Sequence, residues 1–139
     1  MRIKFVTQPD GTSLCGQSSI AMIAGVCLDR AVEACGVTTA KEAGTFSADL
    51  FRGLRNLGVR YGRSVSGRRR EIPSFALGVI ENDRTDWAHA VVVKDGFVYD
   101  PAIGERISLW VYETFVINGA YSKRAQARWQ KFIPILESK

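Results

Sequence analysis

Apolar residues in the first part of the chain recur at helical spacing, and those in the second half alternate or run together as in strands. Residues 15–28, "CGQSSIAMIAGVCL", open small and polar and then turn apolar on every side. That pattern predicts a helix buried all round, running through the centre of the domain. "DRAVEACG" predicts a short helix with Asp29 near its start and Gly36 as its stop. "TFSADLFRGLRNLG" predicts an amphipathic helix carrying Phe46, Leu50, Leu54 and Leu57 on one face and ending at Gly58, after the connector "TTAKEAG". Ahead of these, "RIKFV" reads as a short strand or extended lead-in, and "QPDGTS" as a turn with Ser13 placed to cap the first helix.

From residue 59 onward the signal changes. "VRYGRSVSGRRR" predicts a strand edge followed by an exposed basic loop. "SFALGVIEN", "WAHAVVVKD" and "FVYDPA" predict three strands, the last two joined through Asp95-Gly96, which supply the positive φ of a tight hairpin. "RISLWVYETFVING" predicts a strand followed by a helical or extended segment. "YSKRAQARWQKFIPIL" predicts a basic segment ending in a short apolar tail on the core, with Trp110 and Trp129 as packing anchors. Helices first and antiparallel strands second make an α+β fold, one domain over residues 1–139, with its N-terminal helix packed on an antiparallel sheet.

Composition narrows the possibilities. Of 139 residues, 46% are hydrophobic and 24% charged, which fits a folded domain and not a disordered chain. The three cysteines, Cys15, Cys27 and Cys35, form no CxxC pair, and with a single histidine they predict neither a disulfide framework nor a zinc site. No metal or cofactor is expected. "MRIKFVTQPD" lacks the apolar core of a secretory signal, and "IAMIAGVCL" is about half a membrane span, so the expectation is a cytoplasmic protein with no membrane segment.

The chemistry centres on Cys15. A cysteine in the first turn of a helix feels the positive end of the helix dipole, which favours the reactive thiolate. Cys27 and Cys35 lack that placement and read as inert small hydrophobes. A thiolate nucleophile needs an imidazole partner, and His89 is the one histidine. A packed core histidine is the plainer reading of "WAHAVVV" taken alone. The hairpin changes the comparison. With Asp95-Gly96 as the turn, Lys94 pairs with Phe97, Val91 lies opposite Asp100 and His89 opposite Ala102. Asp100 then shares a sheet face with His89, one diagonal step or roughly 7–8 Å away. It reads either as an orienter for the imidazole or as the turn residue before Pro101. Gln8 reads either as a solvated loop residue or as an amide donor that, with the Cys15 N–H, stabilises an oxyanion. Gln17 is the alternative donor.

"Q…CGQSS" followed by "WAHAVVV-DG-VYDPA" resembles the papain-like cysteine peptidases, and in particular the double-glycine leader peptidase domains of bacteriocin exporters. The resemblance covers most of residues 3 to 104 and fades beyond. It implies Cys15 as nucleophile, His89 as base and later acid, Asp100 as orienter and Gln8 as oxyanion donor. Gln8 stands one residue farther from the cysteine than is usual in that family. The implied function is a thiol hydrolase cleaving a peptide or isopeptide bond, with a protein or peptide as substrate.

The alternatives are a deamidase or acyl-transferase using the same triad, and a non-catalytic basic binding or adaptor module. For the latter, "GRSVSGRRR" (residues 62–70) and the basic segment 121–131 are candidate contacts for nucleic acid or an acidic protein partner; both also read as solvated surface.

Overall fold

The computed structural model describes residues 2–36, 47–68, 71–83 and 87–136. Among these residues three helices precede the sheet: α1 (Cys15–Ala24), α2 (Leu28–Cys35) and α3 (Ser47–Asn56). Seven strands follow: β1 (Arg60–Tyr61), β2 (Val65–Ser66), β3 (Phe75–Asn82), β4 (Ala88–Lys94), β5 (Phe97–Tyr99), β6 (Arg106–Ser108) and β7 (Ala127–Leu136). Between β6 and β7 the chain coils through a short helix α4 (Leu109–Val111), a π-helical turn (Tyr112–Ile117) and a 3-10 turn (Ala120–Ser122). Among the described residues every strand pairing is antiparallel, in the order β1-β7-β3-β4-β5-β6, with β2 also on β7. The architecture is α+β, as the chain pattern predicts.

The sheet is covered on both faces. Cys15, Ile20 and Met22 of α1 pack with Leu77, Val79, Ala90, Val92 and Ile133 on one face. Val91, Val93, Val98, Trp129 and Phe132 pack with Tyr112 and Ile117 of the π-turn on the other. Alternate residues of β4 thus feed two cores, which explains why "AVVV" is apolar throughout.

α1 is buried from Cys15 to Ile23, the all-round burial its composition predicts. It ends earlier than residue 28, because Gly25 takes a left-handed conformation (φ 70°) and turns the chain into α2. Its N-cap is Leu14, which has no capping side chain, so Ser13 lies one residue outside the helix and does not cap it. α2 and α3 match their patterns, with Gly36 at φ 76° and Gly58 at φ 73° just beyond them. Phe46 and the connector 38–44 fall outside the described residues.

"RIKFV" forms no strand; it is the extended lead-in, with Ile3, Phe5 and Val6 laid against the helical core. The larger departure is β7. The segment expected to end as an apolar tail is instead an inner strand, between β3 and the β1/β2 edge. Alternating burial runs from Ala127 to Gln130, and a bulge at Val79/Ile80 resets the register beyond it. Pro134 is accommodated because its carbonyl faces Gly62, in the gap between β1 and β2, where its missing N–H leaves no strand partner unpaired.

Candidate active site

Asp95 (φ 50°) and Gly96 (φ 82°) form the two-residue turn between β4 and β5, and Lys94 pairs with Phe97, Val93 with Val98 and Val92 with Tyr99. This register brings the His89 and Asp100 side chains together. His89 Nε2 lies 2.7 Å from Asp100 Oδ1, and the two residues are 7% and 0% exposed.

β5 stops at Tyr99, so among the described residues no strand pairs with Ala90 on that side. α1 takes the vacant place. The Ala90 N–H points at the Cys15 sulfur at 3.4 Å, and the Ala90 carbonyl accepts a hydrogen bond from Ser19 Oγ at 3.1 Å. These two bonds tie the first turns of α1 to the residue after His89. The imidazole, with Nε2 on Asp100, also interacts electrostatically with the Cys15 thiol. Cys15, His89 and Asp100 therefore stand in a row.

The electrostatics follow from that row. Burial alone would push the Cys15 thiol up; His89 and the backbone N–H groups of Ala90 and Gly16 outweigh it and hold the thiol below its ordinary value. Burial alone would lower His89, but Asp100 and Cys15 raise it to about 10. Asp100 stays below the usual carboxylate range despite burial, held there by His89 and by Tyr112 and Tyr121. The arrangement favours a thiolate–imidazolium pair backed by a carboxylate.

Two tyrosines were not foreseen as part of this cluster. The hydroxyls of Tyr112 and Tyr121 each donate to Asp100 Oδ2 at 2.6 Å, and the Ala102 N–H donates to Oδ1 at 2.8 Å. Both tyrosines come from the coil between β6 and β7, where neither helical nor strand periodicity marks them. Burial and the Asp100 charge push both phenols far up, so they act as donors only. Trp87 stacks on the His89 ring (5.8 Å between centroids, 15° between planes), and Tyr121 meets the same ring edge-on at 5.4 Å.

Gln8 sits in the loop before α1, where its backbone N–H donates to the Pro101 carbonyl, next to Asp100. Its side-chain Nε2 donates one hydrogen to the Thr12 carbonyl at 3.0 Å. Gln17 is fully buried, and neither end of its amide has a partner among the described residues.

Other expectations need revision. Cys35 is buried, and burial raises its thiol to about 11, but Cys27, expected away from any helix start and packed in apolar surroundings, is the N-cap of α2 and is exposed, because α1 ends at Ala24 and a new helix begins at Leu28. Trp129 is an anchor at 8% exposure; Trp110 is not, at 69%, because the turn of α4 carries it outward. In the basic stretch 62–70, Arg63 and Arg68 are exposed, and residues 69 and 70 lie outside the described residues. In 121–131, Arg128 is bound by Glu81 and Asp83. No helix among the described residues is long and apolar enough to cross a membrane, and no cluster of metal-ligating side chains occurs among them.

The backbone is similar to that of the peptidase domain of Streptococcus ComA, a bi-functional ABC transporter involved in a quorum sensing pathway. The match has a TM-score of 0.59 and 17% identity and covers 99% of this chain and 100% of that one. The chain has the papain-like α+β fold of that domain. No family model and no curated protein matches the sequence.

Proposed function

We propose that the protein is a thiol hydrolase that cleaves a peptide or isopeptide bond through Cys15, His89 and Asp100. The observation that carries this reading is the buried row of thiol, imidazole and carboxylate at the uncapped start of α1. The peptidase-domain fold supports the same class.

The Cys15 thiolate attacks the carbonyl carbon, and the C=O electron pair moves onto oxygen. The N–H of Cys15, an orphan donor of the first helical turn, faces that oxyanion. Gln8 contributes the amide hydrogen not given to Thr12. The C–N bond then breaks, and the His89 imidazolium passes its proton to the departing amine, leaving a thioester on Cys15. Water attacks the thioester while His89 takes its proton, and the acid leaves with the thiolate restored. Asp100 keeps the imidazole oriented and its cation stabilised throughout.

A deamidase or transferase would use the same first half-reaction, differing in the amine released or in what replaces water. The test is pH-resolved alkylation of the three cysteines in the wild type and in His89→Ala. Selective low-pH reaction of Cys15 that needs His89 is expected; equal reactivity of the cysteines rules the reading out.

A further inference from the structure

A cavity of about 530 Å³ opens beside the proposed active site, lined by Asn82, Trp87, Ala120, Tyr121, Lys123 and Arg124. We propose that it receives the leaving-group side of the substrate and selects peptides with acidic residues just after the scissile bond. This deepens the hydrolase reading and rests on it.

The direction follows from the chemistry. The acyl half of a cleaved amide stays on Cys15, while the departing nitrogen must lie against His89 to take its proton. The chain beyond that nitrogen therefore runs over the side chains that flank the imidazole. Those are Trp87, stacked on the ring, and Tyr121, edge-on to it; they also touch each other at 5.2 Å between centroids. The same two aromatics wall the cavity, and Trp87 is 37% exposed, an open apolar surface beside the imidazole.

The charge selection comes from Lys123 and Arg124. Both are exposed, both line the cavity, and neither is paired with a carboxylate among the described residues. Arg128, not far along the chain, differs in being neutralised by Glu81 and Asp83. An aromatic wall with two uncommitted cations fits a peptide that offers an apolar side chain first and Asp or Glu next.

The test uses the full-length Cys15→Ala protein, which binds without turnover. Peptides labelled at the C-terminus, with free amino termini reading Leu-Asp-Glu or Leu-Lys-Lys, represent the leaving fragment. Their affinities are read by fluorescence anisotropy. Two exposed ion pairs at a few-fold each predict about tenfold tighter binding of the acidic peptide at low salt. The preference should shrink as added salt shortens the screening length. Adding Lys123→Glu and Arg124→Glu should reverse it. Should that variant lose its circular-dichroism signature, the single changes Lys123→Gln and Arg124→Gln should each weaken the preference.

Equal affinity for the two peptides, or a preference that survives charge reversal, overturns the inference. If the peptides bind alike while Cys15 of the wild type keeps its low-pH reactivity, this inference alone fails. If the acidic peptide binds as expected but Cys15 has no such reactivity, the cavity serves no leaving group, and the inference falls with the hydrolase reading.

Discussion

His89 Nε2 lies 2.7 Å from Asp100 Oδ1, across a hairpin whose two turn residues set the distance. Four donors converge on that carboxylate: His89, Ala102, Tyr112 and Tyr121. An acid so held stays ionised and orients the imidazole bound to it.

The first prediction concerns that thiol. Near pH 6, iodoacetamide should modify Cys15 ahead of Cys27, which is exposed, and of Cys35, whose thiol is raised to about 11. The rate should climb from acid as the lowered Cys15 thiol ionises, and change again as His89 loses its proton near 10. Peptide mass mapping across pH reads both limbs, and His89→Ala should remove the selectivity.

Asp100→Asn tests the ion pair through stability. The folded value of His89, about 10, stands above its unfolded value of about 6.5. The pair therefore contributes fully below about 6.5, and its contribution is lost as pH rises toward 10. The wild type should weaken over that window in urea titrations, and Asp100→Asn should flatten the slope. At neutral pH, loss of one partner of a buried pair should cost about 3 kcal/mol or more. A variant as stable and as pH-sensitive as the wild type would remove this pair from the energetics.

Tyr112→Phe should cost about 2 kcal/mol, since a hydroxyl bonded to a buried carboxylate is lost. The effect should also depend on pH. Asp100 is depressed in the folded state, so its contribution is present above the unfolded carboxylate value and lost as pH falls through the folded one. Without the tyrosine the folded value rises, and acid unfolding should begin at a higher pH. Tyr121→Phe should act in the same direction. Acid titration followed by circular dichroism measures both.

Gly53→Ala should destabilise the protein although it improves helix propensity. A Cβ there would lie 2.5 Å from Cys35 Sγ and 3.1 Å from Ile20 Cδ1, where α3 crosses α1 and α2. Overpacking of this kind costs about 1–3 kcal/mol, more than the roughly 1 kcal/mol gained from replacing glycine in a helix. Adding Cys35→Ala should recover much of the loss; thermal melts of the two singles and the double measure the coupling.

Much of the sheet and of the candidate site was legible because local rules and tertiary structure agree there. The two-residue turn at Asp95-Gly96 sets a hairpin register that carries Asp100 to the side of His89. The all-round apolar run of α1 announced its burial, and with it the setting of Cys15. What escaped is non-local. Ser19 looked like one small residue among several, and its bond to Ala90 exists only because β5 stops short. Tyr112 and Tyr121 lie in a π-turn and a 3-10 turn, whose periods no amphipathic template matches. β7 was hidden by its basic residues and by Pro134, which is tolerated only opposite the break between β1 and β2. Gly25 ended α1 early, in a run that looked continuous.

The place of β7 sets the order in which the molecule can be finished. It follows every other strand along the chain, yet it lies inside the sheet, between β3 and the β1/β2 edge. A ribosome delivers Cys15 and His89 long before it delivers the strand that completes the sheet. Pairings across such separations form late. A nascent chain would thus carry the Cys15 thiol and the His89 imidazole before the sheet that supports them is closed. Synthesis of the Cys15–His89 pair and completion of the sheet beneath it are thereby separated in time by chain order.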